Sequence, residues 1–306
     1  MTFEDKPKLS DKELEEKISI LSQEIEFLKK EGRTSEYIHN LYELALFQAN
    51  YDKFDEALQN LKICLKYFEE SADNFGIGLV YGSMGVIYYL SKDYPKSLYS
   101  YKEACQISER LFQKREQIVC LKGIGLNLMK LNELDKAVDV FLNCAELSSK
   151  ENRLEDFLDS ISNIIQIYEV QEKWDVMIEL YLKALEAFEQ LQDVRAIINT
   201  HFNLGILYNK LEMYDEALSH FKKGINIANE ANIVESIIKG PSLVGELYVR
   251  QNKLKKATQE FIKSLSVAKK VSANNAIEQL KILLNAIGLN NEEINIMLQK
   301  YESELD

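Results

Sequence analysis

The chain has 306 residues, of which 46% are hydrophobic, and it contains only 12 Gly and 3 Pro. Because sheet-rich folds need more of both residues for their turns, this composition favours a mostly helical protein. The formal net charge of −12 argues against a nucleic-acid partner, since phosphate binding requires a surplus of lysine and arginine.

The first predicted helix runs from Ser10 to Lys30. Ser10 can cap this helix, and Glu13 stands three residues later, where it completes a capping box. Leu14 and Leu21 fall in the register of the second helix of the repeats described next. We therefore predict that residues 1–34 form an N-terminal capping helix or half repeat.

One sequence pattern then recurs at intervals of 40 residues. Its six anchors are Phe54, Tyr94, Leu134, Trp174, Tyr214 and Leu254. A fixed period of this length is typical of helical repeat proteins, in which neighbouring units stack. Each period holds two amphipathic helical patterns, one before the anchor and one starting at it, joined by a short polar connection.

Small residues occupy fixed places in these helices. In the first helix they are Ala45, Gly85, Gly125, Gly205 and Gly245; in the second they are Ala57, Ser97, Ala137, Ala217 and Ala257, followed by Cys64, Ala104, Cys144, Ala184, Gly224 and Ser264. Large residues face them, so we predict closely packed helix pairs. Ile165 and Met177 break the first two series, and we expect a local change of superhelix pitch at that fourth repeat.

The pattern ends with a predicted first helix over residues 275–287 and a last, polar helix over 290–301. The polar character suits a cap, which the end of a repeat array requires. The predicted organisation is therefore a cap over residues 1–34, six repeats over 35–272 and capping helices over 273–306.

Residues 202–228 resemble a tetratricopeptide repeat. Leu204, Gly205, Tyr208, Ala217 and Phe221 meet the family pattern, with Gly224 in its last place. The resemblance covers residues ~35–270, with the ~34-residue unit of the family lengthened to 40, and the family's usual proline after the second helix is absent. The longer unit is similar to that of spindle-orientation scaffolds, kinesin light chains and bacterial peptide-pheromone sensors. The resemblance implies an all-α, right-handed superhelix (an α-solenoid) whose first helices line the concave side.

Transferring the groove positions of the family gives a set of candidate partner-binding residues. They are Tyr42, Leu46, Val86, Tyr89, Leu126, Met129, Asn163, Gln166, Asn199, Phe202, Asn203 and Lys239. The resemblance thus implies a groove that is apolar in its N-terminal half and polar in its C-terminal half. Exposed apolar patches commonly mark interaction sites, although the N-terminal helix of the chain itself is an alternative occupant.

One subtype of the family clamps a C-terminal carboxylate with lysine, asparagine and arginine side chains. Lys122 and Asn163 match that clamp, whereas Leu126, Asn199 and Asn203 replace three of its members. We therefore expect no binding of chaperone C-termini.

No catalytic constellation was found in the sequence. The HExxH, GxSxG, GxxxxGK[ST] and GxGxxG spacings are absent, and His201 stands at a position that other repeats fill with apolar residues. The four cysteines include no CxxC pair, so we expect buried, reduced thiols without a metal or cofactor. The basic run from Arg250 to Lys270 is interpreted as a solvated face, with a dock for an acidic tail or an anionic membrane as the alternative.

The N-terminus lacks the apolar segment of a signal peptide, and the longest uncharged stretch, residues 74–91, is short for a membrane span. We therefore expect a cytoplasmic protein that binds another protein or peptide, with no membrane span, no nucleic acid and no enzymatic activity. The leading interpretation is a scaffold or adaptor that holds a peptide or helical segment in its groove. The alternative is a ligand-switched regulator that binds a short signalling peptide; such regulators usually carry an effector domain, for which ~35 preceding residues are too few.

Overall fold

The computed structural model describes residues 9–304, and helices hold 84% of them. The described residues form fifteen helices and no strand: α1 Asp11–Lys30, α2 Thr34–Ala49, α3 Phe54–Glu70, α4 Asn74–Leu90, α5 Tyr94–Arg110, α6 Lys114–Lys130, α7 Leu134–Lys150, α8 Leu154–Val170, α9 Trp174–Leu191, α10 Val194–Lys210, α11 Tyr214–Glu230, α12 Val234–Arg250, α13 Leu254–Lys270, α14 Asn274–Ala286 and α15 Asn291–Ser303. The predicted all-α fold is confirmed. Residues 1–8 and 305–306 of the two predicted caps lie outside the described residues.

All six anchors of the 40-residue pattern are the first residues of second helices, from Phe54 in α3 to Leu254 in α13. A three-residue turn joins most neighbouring helices, and its middle residue has a left-handed backbone. After α3, for example, Ala72 has φ 53°, its N–H donates to Glu69 and the N–H of Asp73 donates to Phe68. These two hydrogen bonds satisfy the last carbonyl groups of the helix, as a Schellman motif does.

The predicted close packing within helix pairs is confirmed at the glycines of the first helices. A Cβ added to Gly85 would lie 2.9 Å from the Tyr101 ring, and one added to Gly205 would lie 2.5 Å from the Phe221 ring. A methyl group therefore cannot fit without movement of the ring. The ring of the second helix occupies the volume that a side chain on the first helix would otherwise fill.

A second contact recurs at the later small positions of the second helices. The Cys64 thiol donates to the carbonyl of Ile38, and the Cys144 thiol donates to that of Ile118, each over 3.6 Å. The Ser264 hydroxyl donates to the carbonyl of Ile238 over 2.5 Å. A small side chain at this place thus lets the second helix lie directly on the backbone of the first.

The chain divides into two compact units, Met1–Ile167 and Tyr168–Asp306. In the first unit, α1 packs on α2, and the predicted capping box is confirmed, since Ser10 and Glu13 bond to each other's backbone. In the second unit, α14 and α15 pack on α13 and bury Ile294 and Leu298. The division falls just after Ile165, and the predicted change of superhelix pitch there stays a prediction.

Candidate functional site

The first unit contains an open cavity of about 720 Å³ on the faces of α2, α4 and α6, which we call the N-terminal cavity. Its apolar lining includes Tyr42, Leu46, Phe75, Leu79, Val86 and Val119. A smaller cavity of about 410 Å³ shares Tyr42, Phe75 and Leu79, so the two form one groove along α2 and α4. The groove is lined mainly by first helices of successive repeats.

Large apolar side chains are exposed in this groove. Phe75 and Val119 are each 48% exposed and Leu79 is 39% exposed, whereas the side chains that pack the helix pairs are almost fully buried. One wall is held by a hydrogen bond between the hydroxyl groups of Tyr42 and Ser83, at 2.8 Å. The surface is thus apolar, exposed and ordered, which is how binding surfaces for apolar side chains are built.

Gly82 lies in the lining of the N-terminal cavity, in the middle of α4. A Cβ added to Gly82 would have no neighbour within 4 Å, although at each of the other helical glycines it would meet a side chain. Glycine in a helix interior costs ~1 kcal/mol relative to alanine. Helix packing does not offset that cost at Gly82; the missing side chain enlarges the cavity instead.

Three charged residues, Arg115, Glu116 and Arg153, belong to the lining of the cavity. Arg153 is bound by Asp156, whose carboxylate accepts a hydrogen bond from the Arg153 Nε over 2.6 Å. Arg115 and Glu116 also line the cavity and are exposed, and neither forms an ion pair with another described residue at salt-bridge distance. Arg115 is therefore a guanidinium that is available to a ligand.

Lys122, which the sequence matched to a carboxylate clamp, is already neutralised. Its ammonium group donates to Asp156 over 3.0 Å and to Asp159 over 2.6 Å. Burial alone would lower the pKa of Lys122, but the hydrogen bonds with Asp159 and Asp156 outweigh burial and raise it. The ammonium group of Lys122 thus binds two aspartates of the chain itself and not the carboxylate of a ligand. This agrees with the expectation that chaperone C-termini do not bind.

The structure brings only part of the predicted N-terminal site together. Tyr42, Leu46 and Val86 line the N-terminal cavity; Tyr89, Leu126 and Met129 are half-buried and lie outside its lining. No residue of α1 lines the cavity, so this helix does not fill it.

The two polar candidates of the first unit lie on α8. The Asn163 amide donates to the carbonyl of Asp159, within its own helix, over 2.7 Å. Gln166 is exposed. Neither residue lines the N-terminal cavity. Their assignment to partner binding stays a prediction.

The second unit contains its own cavity, of about 900 Å³, on α12 and α14, which we call the C-terminal cavity. The predicted site residue Lys239 lines it, together with Glu235 and Glu246. Burial raises the pKa of Glu246. Each of the two cavities has three charged lining residues, so the expectation of a more polar groove in this part of the chain stays a prediction.

Phe202 was wrongly placed on the groove surface. Its side chain is fully buried, because Gly224 and Gly240 leave room for its ring. A Cβ added to Gly224 would lie 2.5 Å from the ring, and one added to Gly240 would lie 3.1 Å from it. Phe202 is a core residue of the second unit and cannot meet a partner.

The other two candidates of the second unit, Asn199 and Asn203, are not fully buried. Asn199 is exposed on α10. Asn203 is half-buried, and its side chain hydrogen-bonds to the Tyr181 hydroxyl, which limits what it can offer a partner. Neither lines the C-terminal cavity.

His201 is buried, as the repeat register predicts, but the sequence did not reveal its contact with His220. The Nδ1 atoms of the two rings are 3.1 Å apart, and the ring of Tyr208 stacks on His220. Burial first, and then the charge of His220, lower the pKa of His201 to about 4. The pair is therefore neutral at pH 7, with one ring donating to the other.

Sequence reasoning missed Phe75, Leu79 and Arg115. Arg115 holds the place of Phe75 one period later, at the start of α6, and stands four residues before Val119. Phe75 and Leu79 stand four residues apart in the first two turns of α4, the helix that also carries Val86. That spacing was the available signal, because side chains four residues apart share one face of a helix.

Two absences concern only residues 9–304. No group of three or more histidine, cysteine, aspartate or glutamate side chains is arranged there to hold a metal ion. Within the same range, no helix combines the length and the apolar character needed to cross a membrane.

Comparison with known proteins gives two family matches and one curated relative. A family model described as tetratricopeptide repeat matches residues 156–230, and one described as anaphase-promoting complex subunit 5 matches residues 7–98. The uncharacterised protein ycf37 of Guillardia theta is 29% identical over 103 residues, which are 34% of this chain and 54% of that protein. The chain thus matches about half the length of this relative.

Solved structures show the same fold at low sequence identity. Aspartyl phosphate phosphatase F from Bacillus subtilis aligns with a TM-score of 0.52 at 15% identity, over 96% of this chain and 78% of that one. A signal-transduction ATPase with a tetratricopeptide-repeat sensor from Pyrococcus horikoshii aligns with a TM-score of 0.53 at 16% identity, over 89% of this chain and 44% of that one. The chain thus shares the helix-pair fold of tetratricopeptide-repeat proteins, and the model of that repeat family matches its residues 156–230.

Proposed function

We propose that this protein is a non-catalytic scaffold or adaptor that binds a peptide or helical segment of another protein in the groove of its first unit. The observation that carries the proposal is the N-terminal cavity, in which Phe75, Leu79 and Val119 remain exposed although the surrounding helices are closely packed. Exposed apolar side chains in a concave surface are unfavourable unless a partner covers them.

The apolar groove can supply substantial affinity. Burying one large apolar side chain contributes ~1.5–3 kcal/mol, and each ~1.4 kcal/mol changes a dissociation constant tenfold. Two anchors on the partner therefore account for roughly a hundredfold in affinity or more. We propose that Gln166, an exposed polar residue of the same unit, fixes the direction of the bound segment. Asn199 and Lys239 stay candidate partner-binding residues of the second unit.

We infer the absence of catalysis from the lining of the N-terminal cavity. Among the described lining residues of this larger cavity, Glu116 is the sole carboxylate and there is no histidine, so it holds no paired acid and base. His39, Glu43 and Asp73 line the smaller cavity, where the Asp73 carboxylate accepts from the Gly76 N–H as the cap of α4. The fold is also that of an aspartyl phosphate phosphatase, but at 15% identity this likeness concerns the fold alone. A ligand-switched regulator remains the second candidate; a short peptide that compacts the protein in solution scattering would favour it.

We also propose a cytoplasmic location. Its support is that all four cysteines are free, and that burial raises the pKa of Cys64 to about 12. Thiols of this kind are unreactive and are usual in a reducing compartment.

The test compares two double variants of the full chain. Leu79→Asp with Val119→Asp places two charges in the groove. Ile63→Asp with Leu142→Asp places the same charges on second helices of the same unit, at residues of similar exposure that do not line the cavity. Each tagged protein is used to capture partners from cells that express it naturally, and each is melted by circular dichroism.

We expect the groove variant to lose a partner that the wild type and the control variant both retain, with melting temperatures within a few degrees of each other. Equal capture by all three proteins would contradict the proposed groove. A control variant that lost the partner as well would place binding on the second helices.

A further inference from the structure

The N-terminal cavity is suited to one kind of side chain. Its lining contains the aromatic residues Tyr42 and Phe75 together with Gly82, where an added Cβ would meet no atom within 4 Å. Tyr101 also lines the cavity, but its ring is buried against Gly85 and Gly123. Tyr42 is held in place by its hydrogen bond to Ser83. Aromatic rings associate favourably with one another in tilted or offset arrangements, and a flat ring can approach a backbone that has no Cβ.

The basic side chains in and beside this cavity differ in whether a carboxylate of the chain already pairs with them. Asp156 forms an ion pair with Arg153, and both Asp156 and Asp159 form ion pairs with Lys122. Arg115 has no such partner among the described residues and also lines the cavity. A guanidinium binds a carboxylate through two parallel hydrogen bonds, so Arg115 favours an acidic residue in the ligand.

We propose that the segment bound in this groove carries an aromatic side chain, which lies against Gly82, and a neighbouring acidic residue, which pairs with Arg115. This inference rests on the proposed function, because it names the chemistry of the partner for the same groove. The position of Glu116 in the same lining adds selectivity, since a ligand carboxylate must approach Arg115 and avoid Glu116.

The experiment uses a displayed library of random peptides about twelve residues long, selected on the full chain. We expect the enriched peptides to share an aromatic residue within two positions of an aspartate or glutamate. One enriched peptide is then synthesised with a fluorescent label, and its affinity is measured by polarisation for the wild type and for four variants.

Gly82→Leu places a side chain in the open space, where a Cβ meets nothing, so the variant is expected to fold. We expect it to weaken binding by about tenfold or more, equivalent to ~1.4 kcal/mol. Arg115→Gln should weaken binding and remove the preference for the acidic peptide over its amide analogue. Arg110→Gln, at an exposed arginine outside the lining, should change neither.

The fourth variant, Leu79→Asp with Val119→Asp, separates this inference from the proposed function. Peptides that require Leu79 and Val119 but are indifferent to Gly82→Leu and Arg115→Gln would overturn the inference and leave the proposed function standing. A library that yields no peptide sensitive to the double variant would overturn both. Enriched peptides without an aromatic and acidic pair would also overturn the inference.

Discussion

Two glycines three residues apart in α4, Gly82 and Gly85, should differ in how the same substitution changes the stability of the protein. Replacing Gly82 by alanine adds a methyl group where no atom lies within 4 Å. Replacing Gly85 by alanine places the same group 2.9 Å from the ring of Tyr101. Because both residues lie in one helix interior, the gain in helix propensity is the same, and the difference between the variants reports packing alone.

The magnitudes follow from these contacts. Alanine in place of glycine stabilises a helix interior by ~1 kcal/mol, so Gly82→Ala should stabilise the protein by about that amount. Overpacking a filled contact costs ~1–3 kcal/mol, so Gly85→Ala should range from neutral to a net loss of ~2 kcal/mol. For a unit of 167 residues, ~1 kcal/mol corresponds to roughly 2–4 °C in melting temperature.

The assay is the thermal melt of the full chain, followed by circular dichroism, with both variants and the wild type at one concentration. We expect Gly82→Ala to melt above the wild type and Gly85→Ala to melt below Gly82→Ala. Equal shifts would mean that Gly82 is packed like the other glycines. A lower melting temperature for Gly82→Ala would refute the argument that its missing side chain serves the cavity.

The remaining predictions concern other parts of the repeat. Gly205→Leu should destabilise the protein by ~1–3 kcal/mol or more, because the ring that faces it lies 2.5 Å from an added Cβ; an unchanged melt would contradict this contact. Phe112 has φ 57° and is 81% exposed, so Phe112→Gly should raise the free energy of unfolding in urea by about 1 kcal/mol. Asn132→Gly, at the next turn along the chain, should gain less, because asparagine tolerates a left-handed backbone. Since the pKa of His201 falls from 6.5 to about 4 on folding, its contribution to stability is complete above pH 6.5 and is lost as the pH falls towards 4. The free energy of unfolding should be ~2 kcal/mol higher at pH 7 than at pH 5. The double variant His201→Leu with His220→Leu should remove that difference.

The helices were predictable because the register repeats, although the turns themselves carried little signal. Ala72 and Phe112 both adopt a left-handed backbone, yet neither residue type favours it. The position within the 40-residue period, rather than local turn chemistry, therefore determined where each helix ends. Tertiary packing of the flanking helices holds these turns against their intrinsic preference.

The candidate site was less predictable, because exposure depends on residues distant in sequence. Phe202 occupies the same helix position as Gly82 and Lys122, and position alone placed it on the surface. Gly224 and Gly240 lie far from it in the chain and create the space that buries its ring. A family position identifies the face of a helix, but the size of the neighbouring side chains decides whether that face is open.

The contact between His201 and His220 shows the same limit in another form. The register predicted that His201 is buried, but it gave no reason to pair it with a residue on the next helix. Burial of one imidazole requires a hydrogen-bond partner, and His220 supplies it at 3.1 Å. A single sequence indicates that a buried histidine needs a hydrogen-bond partner, but it does not indicate which residue is that partner.

The two cavities occupy equivalent places in the repeat, each within its own unit, and they differ in chemistry. Leu79, Gly82 and Val86 on α4 correspond to Lys239, Ser242 and Glu246 on α12, four periods later. On α4 and α12 these places face the cavities, whereas Gly85 and Gly245 on the same helices must stay small because a ring of the next helix packs on them. Substitution at these positions of α4 and α12 is therefore less constrained by packing than at the glycines of the helix contacts, although Phe202 shows that the equivalent place on α10 is filled by the core. The repeat fixes the backbone of the groove, and the partner chemistry can differ from one unit to the next without loss of the fold.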